Sequence, residues 1–215
     1  MVDIVACTSA QVLESLTISP ALDMFRPAEK QHAALIDIAQ DAATDPLCCV
    51  SMARDDDASV NDDASVDTVV GEVVVGYASF HPPTDVETWG DDETGQLVEL
   101  GAVEVDPSYR GQRLAQRLLE ASFAGGRFDH TVVFATMYVW HYDLKRTVMT
   151  PYQYKRMLER LYRGIGMEPF RTSDPEIRAD PANQLMARVG PHCPPHIKTE
   201  FDRLRSQDLL NFSAF

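Results

Sequence analysis

The stretch Leu97–Leu119, LVELGAVEVDPSYRGQRLAQRLL, decides the fold, because its period changes within a few residues. Leu97 to Val105 is rich in valine and small apolar residues and reads as a strand. Asp106-Pro107 stops it, since proline has no N–H to give to a ladder and biases the preceding residue away from helix. After the turn at Tyr109-Arg110-Gly111 the spacing becomes helical. Leu114, Ala115, Leu118, Leu119 and Phe123 form one stripe, and Arg110, Arg113 and Arg117 lie on another face. Strand, tight turn and helix in this order leave the first N–H groups of the helix pointing out beyond a strand end, where they can hold an anion such as a pyrophosphate.

Outward from this centre, Thr131 to Thr136 (TVVFAT) reads as a second buried strand, reached after Gly125-Gly126 ends the helix. A strand, a helix and a parallel strand make a right-handed crossover, which places 97–105 and 131–136 side by side. Before the centre come a strand or short helix within residues 1–23, a helix opened by Phe25-Arg26-Pro27, an apolar strand Leu47–Ala53 and a strand Val69–Phe80. After it come a helix Tyr152–Arg163 with Met157, Leu158, Leu161 and Tyr162 facing inward, and two strands, Met167–Phe170 and Gln184–Val189. These strands form a hairpin around the polar insert Arg171–Asn183. An amphipathic helix over 194–208 closes the chain. The expected fold is α/β (α+β): one domain, 1–215, with a mixed sheet of six or seven strands and helices on both faces.

Composition narrows the function. A formal charge of −14 argues against nonspecific nucleic-acid binding, which needs a basic footprint. Residues 55–67 hold six of the acids and contain DDASV twice; they read as an acidic, flexible loop within a hairpin. The loop lacks the glycine and terminal glutamate of an EF-hand. Fifteen arginines against four lysines in an acidic chain fit either a halophilic source or an ordinary acidic cytosolic protein. No apolar run is long enough to span a membrane, and the first residues lack a signal-peptide pattern, so a cytoplasmic protein is expected. The four cysteines, Cys7, Cys48, Cys49 and Cys193, form no disulfide framework. His192-Cys193 with His196 lacks a fourth ligand, and no metal is expected.

The loop Val105-Asp-Pro-Ser-Tyr-Arg-Gly-Gln-Arg-Leu-Ala115 resembles the acyl-CoA pyrophosphate loop of the GNAT superfamily of N-acyltransferases: Arg or Gln, two residues, Gly, one residue, Gly or Ala. Arg110 and Ala115 match, and Arg113 stands at the central glycine. Further stretches resemble the acetoin-utilisation acetyltransferase family within it, whose members also lack that glycine: Glu99-Leu-Gly-Ala-Val-Glu-Val105, Trp140-His141-Tyr-Asp-Leu-Lys145, Asp174-Pro-Glu-Ile-Arg178, Leu185-Met-Ala-Arg-Val-Gly190 and Phe201-Asp-Arg-Leu-Arg205.

The resemblance implies a sheet splayed between 97–105 and 131–136 that admits acetyl-CoA as co-substrate. Pantetheine would pair with the backbone of Val103 and Val105, and the pyrophosphate would meet Arg110, Gly111, Gln112, Arg113, Leu114 and Ala115. It implies transfer of acetyl to a lysine of AMP-forming acetyl-CoA synthetase, switching that partner off. A small-molecule amine acetyltransferase and a non-catalytic acyl-CoA-binding module are the alternatives, and the oligomeric state is left open.

Lysine, with a pKa of ~10.4, needs a base at neutral pH. Glu99 and Glu104 both lie on the central strand, and alternation cannot choose between them where a bulge changes the parity. The family spacing, a glutamate eleven residues before the loop arginine, selects Glu99. Tyr162 begins Tyr-Arg-Gly-Ile-Gly-Met, similar to the family's Tyr-x-x-x-Gly-Phe, which implies a phenol that protonates the leaving thiolate; its alternative is a core tyrosine. Tyr138, Trp140 and His141, just past a strand's carboxyl end, are the candidate substrate wall.

Overall fold

The computed structural model describes residues 1–60, 69–84 and 88–207. Residues 61–67 of the duplicated acidic stretch lie outside that description. The chain forms two compact units, Met1–His81 with Gly101–Ala124, and Pro82–Leu100 with Gly125–Phe215. The expected central strand is found at its expected bounds, β7 in chain order (Leu97–Val105), and it runs through both units.

The first unit holds β1 (Val2–Val5), α1 (Ala10–Glu14), β2 (Thr17–Ile18), α2 (Ala28–Asp41), β3 (Cys49–Asp55), β4 (Ser59–Val60), β5 (Val69–Val70), β6 (Val73–His81), the second half of β7, and α3 (Leu114–Phe123). β1 pairs antiparallel with β3, β3 antiparallel with β6, and β2 parallel with β6. The strand expected over 69–80 is two. Val69–Val70 turns away to pair with Ser59–Val60, the hairpin expected around the acidic loop, and only Val73 onward joins the main sheet.

Alternation on β3 assigns the faces. Val50 and Met52 join Leu13, Leu22, Leu35, Ala39, Val74 and Tyr77 in a core beneath α1 and α2. Ser51, between them, points the other way and accepts a hydrogen bond from Ser122 of α3 at 2.8 Å. Helices therefore cover both faces of this half.

The second unit holds the first half of β7, β8 (Val132–Met137), α4 (Pro151–Arg163), β9 (Glu168–Phe170), α5 (Pro175–Arg178), β10 (Gln184–Val189) and α6 (Pro195–Leu204). β8 and β9 both pair antiparallel with β10, which makes β9 and β10 the expected hairpin; the insert between them contains α5. Trp89, Leu97, Phe134, Leu185, Ala187, Ile197 and Phe201 form its core, with the Trp89 ring stacked on Phe134 at 4.5 Å. β7 and β8 are parallel, and the expected splay shows as a ladder of three pairs, Leu97–Glu99 with Val132–Phe134. Among the described residues the main sheet has eight strands rather than six or seven, because β2, too short to show a period in sequence, adds to β6. Among the described residues no helix is long and apolar enough to cross a membrane.

Candidate active site

The first unit carries the loop expected to meet a phosphate. Asp106 ends β7 and its carboxylate accepts from Ser108 N at 2.8 Å, which closes a short 3-10 turn over Pro107–Tyr109. Asp106 is itself held by the Ser19 hydroxyl at 2.5 Å. Tyr109 donates to Asp55 at 2.8 Å, and burial, reinforced by that bond, pushes its phenol up to about 12. The turn is thus anchored on both sides.

Beyond it the chain reverses through Gly111 at φ +85 and Arg113 at φ +58, and α3 starts at Leu114. The helical ladder begins with Arg117 N donating to Arg113 O, so the amides of Gly111, Gln112, Arg113, Leu114 and Ala115 have no partner among the described residues. Unpaired amides at a helix start, with exposed Arg110 and Arg113 beside them, suit a pyrophosphate. Arg113 occupies the left-handed position without a glycine, at the usual small cost for a side chain there. Gly111→Ala is expected to destabilise the protein by about 1 kcal/mol and weaken coenzyme A binding, because alanine resists a positive φ; melting curves with and without coenzyme A measure both.

The two candidate bases on β7 differ in what holds them. Glu104, 5 % exposed, accepts from Met24 N on one carboxylate oxygen at 2.9 Å and from the Tyr77 hydroxyl on the other at 2.8 Å. It ties the segment before α2 to the sheet. Glu99, 9 % exposed, is reached by the Thr136 hydroxyl at 3.5 Å, a long contact. Each oxygen of Glu104 thus serves a structural donor.

In the second unit, a capping box starts α4: Gln153 N donates to the Thr150 hydroxyl, and the Gln153 side chain accepts from Thr150 N, with Pro151 in the first turn. The expected inward stripe holds for Tyr162 and is corrected for the other three. The fully buried residues of α4 are Tyr154 and Tyr162, while Met157, Leu158 and Leu161 are half-buried. Tyr154 stacks on Tyr142 at 4.9 Å. Burial, with a smaller contribution from Tyr154, holds the Tyr162 phenol above its ordinary range, so it stays protonated at neutral pH.

Tyr138 and Trp140 stack at 4.5 Å with their planes 9° apart, and His141 stands edge-on to Tyr138. Tyr138 is buried while Trp140 and His141 are exposed. Loss of solvent on the ring side lowers the His141 pKa, which keeps the imidazole neutral at pH 7. The insert is pinned to this aromatic run. Val139 N donates to Asn183 Oδ1 at 2.8 Å, Tyr142 OH to Ala182 O at 2.6 Å, and Lys155 Nζ to Pro181 O at 3.0 Å. Tyr77 and Thr136 are contributors the sequence did not single out. Among the described residues no group of three or more metal-ligating side chains is found.

The model of the acetyltransferase (GNAT) family matches residues 19–128, from just after β2 to just beyond α3. The acetoin utilization protein AcuA of Bacillus subtilis is 35% identical over 184 residues, covering 86% of this chain and 79% of its own length. AcuA of Bacillus licheniformis is 34% identical over 197 residues, 92% and 85% respectively. The crystal structure of the acetoin utilization protein from Exiguobacterium sibiricum superposes with a TM-score of 0.86 at 32% identity, over 98% of this chain and 91% of that one. With a family match that contains the loop of unpaired amides and relatives that align along most of the chain, this protein belongs to the GNAT family of acetyltransferases, in its acetoin-utilisation branch.

Proposed function

We propose that this acetyltransferase acts on a lysine of a folded protein, and that the protein is AMP-forming acetyl-CoA synthetase, which acetylation switches off. The observation that carries a protein acceptor is the surface between Trp140 and Arg163. Four of the six exposed large apolar side chains among the described residues, Trp140, Val148, Met149 and Tyr152, fall within it. The same stretch holds six bases and two acids in a chain of formal charge −14. Lys145, Arg156 and Arg160 are exposed and have no carboxylate partner among the described residues. Exposed apolar side chains and bases along one stretch suit the surface of an acidic protein, whereas a small amine needs a closed pocket with a few fixed polar groups.

In this reading Arg110 and the amides of Gly111, Gln112, Arg113, Leu114 and Ala115 hold the pyrophosphate of acetyl-CoA, and the backbone of Val103 and Val105 pairs with the pantetheine amides. Glu99 takes the proton from the lysine ammonium, and Tyr162 gives one to the departing thiolate. Tyr138, Trp140 and His141 line the approach of the acceptor side chain. Arg156→Glu with Arg160→Glu is expected to raise KM for the protein acceptor about tenfold and leave kcat near its original value, since rim charges act on encounter and docking rather than chemistry.

The test of the proposal is incubation with radiolabelled acetyl-CoA and the acetyl-CoA synthetase of the same cell, followed by mapping of acetyl-lysine by mass spectrometry. Label on one lysine with parallel loss of synthetase activity is the expected result. An unlabelled synthetase beside rapid turnover of a polyamine would assign the enzyme to small amines.

A further inference from the structure

Cys7 and Cys49 are far apart in sequence and meet in the first unit. Cys7 lies in the turn that leaves β1, and Cys49 opens β3. Their sulfurs stand 2.8 Å apart, closer than two unbonded sulfurs rest in ordinary contact and short of the ~2.05 Å of a disulfide. Cys7 has φ +50, and among the described residues only Arg113 shares a positive φ without being a glycine.

That turn is firmly placed. Val5 pairs with Met52, Cys7 N donates to the Ser51 hydroxyl at 3.3 Å, and Thr8 N to Val50 O at 2.7 Å. Backbone strain of this kind persists only where surrounding contacts over-determine it, and here those contacts aim one sulfur at the other. The sulfurs are already close enough for a short side-chain movement to bring them to bonding distance.

Exposure gives the two thiols different roles. Cys7 is half-buried, within reach of a small oxidant, and Cys49 is fully buried behind it. The other two thiols are poorly placed to compete. Burial pushes Cys48 up to about 11, and it also raises Cys193, so both hold little thiolate at neutral pH.

We propose that Cys7 and Cys49 form an oxidation site that a peroxide converts to a disulfide. Cys7 sulfur attacks hydrogen peroxide, the O–O bond breaks, and one water leaves as the sulfenic acid forms. Cys49 sulfur then attacks Cys7 sulfur, the S–O bond breaks, and a second water leaves with the Cys49 proton. Two thiols lose two electrons in total, and one peroxide is reduced to two waters. The new bond closes a loop that contains α1, β2 and α2, the elements that build the core of this unit, and so restricts the unfolded chain.

The experiment treats the reduced full-length protein with a small excess of hydrogen peroxide, blocks remaining thiols in denaturant, and maps cross-linked peptides by mass spectrometry. The expected result is loss of two of four thiols, a Cys7–Cys49 linked peptide, a melting temperature raised by several degrees, and full reversal by dithiothreitol. Cys7→Ser should abolish the link, while Cys193→Ser should leave it unchanged. Four intact thiols, oxidation of Cys7 to sulfinic acid without a link, a Cys48–Cys49 bond or a link between chains would each overturn the proposal. The wild-type map decides even if a cysteine variant fails to fold.

Discussion

Glu99→Gln is expected to lower turnover at neutral pH by roughly 10²-fold or more while coenzyme A binding stays as it was. Glutamine keeps the length and most of the shape of the side chain but cannot accept a proton, so the chemical step loses its base and the nucleotide loop of the other unit is untouched. The deficit should shrink as pH rises, because the acceptor lysine, with a pKa of ~10.4, then supplies its own neutral amine. Single-turnover rates from about pH 6.5 to about pH 9.5, beside calorimetric titration with coenzyme A, measure both. A deficit that is flat across that range would mean that Glu99 serves binding or packing instead.

Glu104→Gln is the comparator with a different expected signature. Both Glu104 oxygens accept hydrogen bonds, from Met24 N and Tyr77 OH. An amide can still accept on one atom but presents a donor on the other, and an unmatched buried pair of this kind costs about 1–3 kcal/mol. Its effect should therefore appear in the melting curve before it appears in the pH profile. If Glu104→Gln instead shows the rate loss that shrinks with rising pH, the base is Glu104.

Much of this architecture was legible because it is local. The change from strand to helical period across Leu97–Leu119 placed β7 at its observed bounds and the apolar face of α3 within a residue or two. The turn chemistry of Asp106-Pro107 and of Gly125-Gly126 located the ends of both. What sequence could not give is long-range. Nothing near Glu104 in the chain marks Met24 or Tyr77 as its partners, so alternation left two glutamates equivalent that the fold makes different. The strand expected across Val69–Phe80 is continuous in hydropathy, and only pairing with Ser59–Val60 reveals that Val69–Val70 belongs elsewhere. On α4 the inward stripe of Met157, Leu158, Leu161 and Tyr162 holds for Tyr162, yet the fold half-buries the other three and buries Tyr154, whose large ring fills space that a hydropathy scale ranks low. Trp140 stood out as part of a substrate wall, but the exposure of Val148, Met149 and Tyr152 did not, since an apolar residue is read as core until a structure leaves it in water.

Tyr162→Phe is expected to reduce turnover about 10²-fold with little change in coenzyme A affinity, the second largest effect proposed. Tyr162 sits in the last turn of α4, where Ile165 N and Met167 N both donate to its carbonyl and fix the backbone. Phenylalanine fills the same space, so the change removes one hydroxyl and little packing. Burial raises the phenol above its ordinary range, and Tyr154 adds to this. A raised pKa in the folded state means that the neutral phenol stabilises the fold below ~pH 10, and that this contribution is lost as pH climbs and the unfolded chain ionises first. Tyr162→Phe should accordingly be less sensitive to alkaline unfolding than the parent. The two readouts separate the roles: a catalytic acid gives slower turnover together with better alkaline stability, whereas a core tyrosine gives the stability change alone. Tyr142→Phe serves as the control on the same cluster. Its hydroxyl donates to Ala182 O at 2.6 Å, and its loss should loosen the insert and lower the melting temperature, because Tyr142 holds structure where Tyr162 is proposed to hold a proton.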